Sequence, residues 1–117
     1  MKFLKPGFEF EDERGIFKEI IRGDGWRELN LAGRWKGVNS GNHYHKRTRE
    51  LFYVIEGSGR LTIEHARTGK IKVYPFKTND IFIVEPFEKH NFVYEENTSF
   101  AILLSKPHNK RRPDIFL

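Results

Sequence analysis

The stretch "GNHYHKRTRELFYVIEG", residues 41–57, holds two histidines two positions apart, His43 and His45, followed by Glu50. In an extended strand, residues two apart project to the same face. His43 and His45 therefore point together, with Tyr44 on the opposite side. Glu50 opens the next apolar run and shares its parity with Phe52 and Val54. A third histidine, His90, follows the run "IFIV" and the turn "EPFEK", on one face with Phe92 and Tyr94. Imidazole nitrogens and a carboxylate oxygen suit borderline divalent ions such as Zn, Ni, Fe and Mn. A lone His-x-His in a basic strand is more often surface chemistry. The combination of three histidines with one glutamate, each placed at a strand end or turn, favours a ligand set.

Working outward, the chain reads as strands and turns nearly throughout. "RLTIEHAR" (residues 60–67) alternates, with Leu61 and Ile63 on one face, and "KIKVY" (residues 70–74) alternates after a Thr68-Gly69 turn. "LFYVI" (51–55), "IFIV" (81–84) and "SFAILLS" (99–105) are apolar on both faces, as expected of central strands covered on both sides. "EGSG", "KTND" and "EPFEKH" punctuate them. Phenylalanine at 11 positions, with many Ile, Val, Tyr and Thr, also supports sheet over helix. Short strands at this spacing predict an all-β sandwich or barrel. The segment "RGDGWRELNLAGRWKG" fits either two short strands or a loop. The tail "KPHNKRRPDIFL" reads as a surface arm that docks through Ile115, Phe116 and Leu117, on its own domain or on a partner.

A length of 117 residues supports one domain with one core. No signal-peptide pattern opens the sequence, and no apolar run approaches the ~20 residues of a membrane span. The absence of cysteine excludes disulfides, thiolate metal sites and cysteine nucleophiles together, and the default is a cytoplasmic protein. A net charge of +5 comes from 21 basic and 16 acidic residues that alternate along the chain. That pattern means a mixed, solvated surface. The runs "KRTR" (46–49) and "NKRRP" (109–113) could attract phosphates, but a solvated basic surface is favoured over nucleic-acid binding. Dinucleotide, P-loop and G-x-S-x-G fingerprints are missing.

The spacing of these residues resembles the cupin superfamily. Its first motif, G-(x)5-H-x-H-(x)3,4-E-(x)6-G, is filled at every fixed position by Gly37, His43, His45, Glu50 and Gly57. Its second, G-(x)5-P-x-G-(x)2-H-(x)3-N, is met in part. Asp80 replaces the first glycine, Pro86 and His90 are kept one residue closer together, and Tyr94 stands where asparagine is usual. The resemblance implies a double-stranded β-helix, a jelly-roll barrel, over about residues 36–105, with N-terminal strands over 1–35 and the C-terminal arm over 106–117. It also implies that His43, His45, Glu50 and His90 hold one divalent metal near the barrel mouth, and that the chain forms a homodimer.

Upstream, "DERGIFKE" (12–19) is similar to the D-x-R-G-x-F-x-E segment of dTDP-4-keto-6-deoxyhexose 3,5-epimerases. "GNHYHKRTRELFYVIEG" followed by "RPDIF" (112–116) is similar to the cupin domains of capsular-polysaccharide reductase/epimerases. By that resemblance Arg14 inherits a role at substrate phosphates; otherwise Asp12 to Gly15 is a charged β-turn. Tyr94 is the best-placed phenol for proton transfer, or else an aromatic filling the barrel. Trp26 and Trp35 suit core or interface packing more than sugar stacking. His65 and His108 read as strand and tail residues rather than ligands. The leading functional expectation is metal-assisted epimerisation or isomerisation of a keto sugar, phosphorylated or nucleotide-linked. An iron dioxygenase and a non-catalytic small-molecule binder are the alternatives.

Overall fold

The structure is a computed structural model that describes all 117 residues. Eleven strands and no helices make it up. They are β1 (Lys2–Leu4), β2 (Phe8–Asp12), β3 (Gly15–Glu19), β4 (Glu28–Arg34), β5 (Asn39–His43), β6 (Glu50–Glu56), β7 (Ser58–His65), β8 (Ile71–Lys77), β9 (Ile81–Val84), β10 (Glu88–Tyr94) and β11 (Thr98–Leu104). Every pairing is antiparallel. One sheet runs in the order β1-β9-β6-β11-β4 and the other β5-β10-β7-β8, with β2-β3 a separate hairpin. No helix is long and apolar enough to cross a membrane.

The two sheets face each other across an aromatic core. Alternation selects it: Phe52 and Val54 on β6, Leu61 and Ile63 on β7, Phe82 and Val84 on β9, Phe92 and Tyr94 on β10 all point inward. The rings of Phe52, Phe82, Phe92 and Phe100 lie 5.2–6.2 Å apart at their centroids, the separations at which aromatic pairs add to simple burial. The intervening residues explain why β6 and β9 are apolar on both faces. Leu51, Ile81 and Ile83 form a second cluster on the outer side, covered by Ile20, Ile21 and Trp26. So the loop ahead of β4 is a lid on the five-stranded sheet, and the uncertain segment 22–37 holds one strand, β4, paired along β11.

Two local features shape the turns at opposite ends of the barrel, the second of them where the histidines gather. Between β6 and β7, Gly57 takes φ 119°, and a Cβ there would come within 2.3 Å of Thr98 Oγ1 and 2.7 Å of Thr98 Cα; only glycine fits. The turn before His90 is one residue shorter than the cupin pattern, and Phe87 takes φ 66° there. That left-handed position is strained for a bulky residue. Its backbone is tied on both sides, the N–H donating to the His45 carbonyl (2.7 Å) and the carbonyl accepting from Ala66 (2.8 Å).

The arm docks differently from the sequence expectation. Phe116 and Tyr44 exchange both backbone hydrogen bonds at 2.9 Å, and their rings lie 5.7 Å apart. Leu117 and Ile115 instead remain 91% and 42% exposed. Phe116 alone among the three apolar residues anchors the arm, and a polar residue, Asp114, does the rest.

Candidate metal centre

The ligand-type residues predicted from the sequence come together. One ligand atom from each of His43, His45, Glu50 and His90 lies within 4.8 Å of all the others. Four different pieces of chain deliver them. His90 and Glu50 point inward from β10 and β6, where they are 2% and 8% exposed. His43 ends β5 opposite His90 in the ladder. The register shifts next to that pair, so that Asn42, at φ 61°, is the extra residue of a bulge. Bulges re-aim side chains beside functional sites. His45 lies beyond the strand, so strand alternation alone does not orient it.

Its orientation comes from the arm. His45 Nδ1 donates to the Asp114 carbonyl (2.5 Å), leaving Nε2 to meet Glu50 Oε1 at 2.6 Å. The Asp114 carboxylate accepts from the backbone N–H of Lys46 (3.0 Å), Arg47 (2.8 Å) and Thr48 (2.9 Å), and from the Thr48 hydroxyl (2.9 Å). One residue thereby fixes both the imidazole and the loop that follows it. His90 is treated alike: Nδ1 donates to the Glu88 carbonyl (3.1 Å) and Nε2 lies 3.3 Å from Glu50 Oε1.

The electrostatics follow from this crowding. Burial alone would raise the Glu50 carboxyl, but hydrogen bonds and charge from His45 and His90 override it and hold the group well below the carboxylate range. His45 is opposed by burial, yet Glu50 and the Asp114 carbonyl raise it above ordinary histidine. His43 moves the other way, lowered by burial and by the neighbouring imidazoles. Desolvation likewise raises the Tyr94 phenol.

These residues fit a divalent ion. Ligands bound to one ion at about 2.0–2.2 Å lie at most about 4.4 Å from one another, so small side-chain adjustments close the set. The stronger argument is the outer contacts. Two imidazoles each give their Nδ1 hydrogen to a backbone carbonyl and turn Nε2 inward, the arrangement that selects the tautomer and angle of a metal-binding histidine.

Beside the cluster lies a pocket of about 90 Å³, lined by His43, Glu50 and His90 and walled by Phe52, Phe92 and Tyr94. The Tyr94 hydroxyl shares a hydrogen with Ser40 Oγ at 2.5 Å, while its ring stacks on Phe92. Tyr94 is thus both a filling residue of the barrel core and a wall of the pocket. Arg14 is not in this group. It sits at the tip of the β2-β3 hairpin, 79% exposed in its side chain and bonded twice to Asp12 (2.7 and 2.9 Å). Trp26 packs in the outer cluster, whereas Trp35 is 75% exposed and belongs to no core. Sequence reasoning missed Ser40, Asp114 and Arg34, the last a further lining residue of the pocket. Only Asp114 had a visible signal, because it lies within "RPDIF".

A two-sheet antiparallel barrel carrying three histidines and a glutamate at one end of its interior is a cupin. More narrowly, the model of the polysaccharide biosynthesis C-terminal domain family matches residues 10–116, and the chain belongs to that family. The sequence has no significant match among curated proteins. Among solved structures, the fold is similar to the capsular polysaccharide assembling protein CapF of Staphylococcus aureus (TM-score 0.73, 20% identity, 99% of this chain and 34% of CapF). It is similar also to the dTDP-6-deoxy-D-glucose-3,5-epimerase RmlC of Legionella pneumophila (0.78, 19% identity, 93% and 68%). The 3′-monoepimerase ChmJ of Streptomyces bikiniensis is a third (0.77, 18% identity, 92% and 65%). The chain spans about a third of the length of CapF.

Proposed function

We propose that this chain is a metal-dependent epimerase or isomerase of a keto sugar carried on a nucleotide. The observation that carries the reading is the convergence of His43, His45, Glu50 and His90 beside a small pocket walled by aromatic rings. Its setting is a fold shared with proteins named as dTDP-sugar epimerases. A divalent ion held by those four residues would supply a Lewis acid for the carbonyl next to the carbon being inverted.

The chain's own residues account for the remainder. Phe52, Phe92 and Phe100 line the pocket and keep bulk water from a carbon that must lose and regain a proton. Tyr94 holds its hydroxyl toward Ser40 and lines the pocket, where its phenol would serve as the proton donor to one face of the sugar. Arg14 is proposed as a further phosphate contact, one that would give up its pair with Asp12 at the hairpin tip to reach the substrate. The chain is proposed to work as a homodimer. Phe8, Phe10, Ile16 and Phe17 on the hairpin, with Leu29 and Leu31 on β4, are 45–76% exposed, and β4 is an unpaired sheet edge.

Solvent-deuterium incorporation tests the reading. Incubating metal-loaded protein with a panel of dTDP- and UDP-4-keto sugars in D2O should place deuterium on a carbon next to the carbonyl, and chelation should stop it. A panel with no exchange, under conditions where the protein retains one equivalent of metal, refutes the assignment. Oxygen uptake with the same substrates would point to a dioxygenase instead.

A further inference from the structure

A second cavity is lined by His45, whose Nε2 meets Glu50 in the wall of the first. It measures about 300 Å³, within the range of small-molecule clefts, and the arm forms its far wall. Arg47, Lys106, His108 and Arg112 line it, together with His45 and Asp114. We infer that this cleft is a phosphate subsite, taking the diphosphate of a nucleotide-linked substrate whose sugar lies in the neighbouring pocket. The inference deepens the function proposed above and rests on it for the identity of the substrate.

Three observations argue for an anion. First, three cationic side chains in the wall, Arg47, Lys106 and Arg112, have no carboxylate partner. Arg14, Arg22, Arg49, Arg60 and Lys77 each pair with an acid of this chain, whereas Arg47, Lys106 and Arg112 form no such pair. Like charges gathered around one concavity repel each other, and a bound anion removes that repulsion. Second, the single carboxylate in the wall is already occupied. Asp114 turns its oxygens to the 46–48 backbone and the Thr48 hydroxyl, so it pairs with none of the cations, and one carboxylate against Arg47, Lys106 and Arg112 leaves the wall net positive. Third, the arm is tethered to the barrel at His108 and at Asp114, and a turn of its own shapes the stretch between them. The His108 N–H donates to Glu28 Oε1 (2.8 Å), and Asn109 Oδ1 accepts from the N–H groups of Arg111 and Arg112 (3.0 and 3.2 Å). Arginine guanidinium and lysine ammonium groups on a fixed backbone recognise phosphate oxygens by charge-assisted hydrogen bonds.

Calorimetric titration of the full chain with UDP, dTDP and inorganic pyrophosphate tests the site, before and after chelation of metal. All three ligands should bind, and binding should weaken with salt and persist after chelation. Arg112→Ala and Lys106→Ala should each lower affinity about tenfold, the loss expected for one hydrogen bond to a charged group. Both positions are exposed, so melting temperatures should stay unchanged. Unchanged affinity in the double variant overturns the proposal. So does binding that vanishes on chelation, which would put the phosphates on the metal, or a loss confined to Arg14→Ala. A single-stranded oligonucleotide that displaces UDP at equal phosphate concentration would mark the cleft as a nucleic-acid surface and overturn it too. Diphosphate binding that depends on Arg112 and Lys106 without any sugar exchange leaves the subsite standing and removes the epimerase reading. Exchange whose KM ignores both residues does the reverse.

Discussion

Replacing Asp114 by alanine is the most informative perturbation, because a stability readout and a metal readout should move together. The carboxylate accepts four hydrogen bonds at 2.8–3.0 Å, two of them from Thr48. Lys46 and Arg47 are exposed, so water will replace the carboxylate at their N–H groups. Thr48 is only 5% exposed, and its two donors would lose a charged partner without full replacement. A buried donor left unsatisfied costs about 1–3 kcal/mol. The expected destabilisation is therefore about 2–4 kcal/mol, a large share of the ~5–15 kcal/mol typical of a domain. The same change frees the arm, whose Asp114 carbonyl orients His45. Loss of such an outer contact lowers metal affinity about 10–100-fold. Urea unfolding in the presence of chelator isolates the stability term, and competition with a chromophoric chelator reads affinity. Asp114→Asn, which retains an acceptor but no charge, should fall between wild type and alanine in both. If Asp114→Ala unfolds within about 0.5 kcal/mol of wild type and binds metal within about twofold, the strap has no role in the site and the reasoning fails.

Other expectations are as direct. His45→Ala should remove stoichiometric metal binding while the circular dichroism of a folded barrel persists, and Glu50→Gln should weaken binding less, since an amide oxygen still coordinates; one retained equivalent in His45→Ala would refute the ligand assignment. Tyr94→Phe should slow deuterium exchange about 100-fold or more with little change in melting, because the ring and its stacking on Phe92 remain; unchanged exchange would leave Tyr94 as packing only. Gly57→Ala should cost about 3 kcal/mol or more, through a disallowed φ and overlap with Thr98; a loss below about 1 kcal/mol would contradict the close approach. Leu31→Lys, on the exposed edge strand β4, should turn a dimer into a monomer by light scattering, and a mass unaltered by the substitution would exclude that edge as the interface.

The barrel was legible in the sequence because its signal is local. Alternation in "RLTIEHAR", two-sided apolar runs in "LFYVI" and "IFIV", and glycine at position 57 each report the strand or turn in which they lie. The four ligand-type residues were legible for the same reason, through parity and spacing. What lay hidden was set by long-range contacts. Strand parity put His43 and His45 on one strand face, whereas β5 stops at His43 and His45 is aimed by Asp114. Parity cannot reveal the Asn42 bulge, and no pattern marks Ser40 as the partner of Tyr94. The arm was expected to dock through its three terminal apolar residues. Hydrophobicity pointed to Leu117, yet an acid with four hydrogen-bond donors around it outweighs an apolar side chain that finds no groove.

The dependence of His45 on Asp114 has a consequence for biosynthesis. The two residues are 69 positions apart in the chain, and every barrel strand precedes the arm. As the chain leaves the ribosome, strands β5 to β11 are available to pair before residue 114 emerges. The barrel and three of the four ligand-type residues therefore exist before the fourth is aimed. On the proposed metal-dependent reading, a nascent chain halted ahead of the arm would hold an ion poorly, and metal loading would come late in the life of the polypeptide, after the strands have paired.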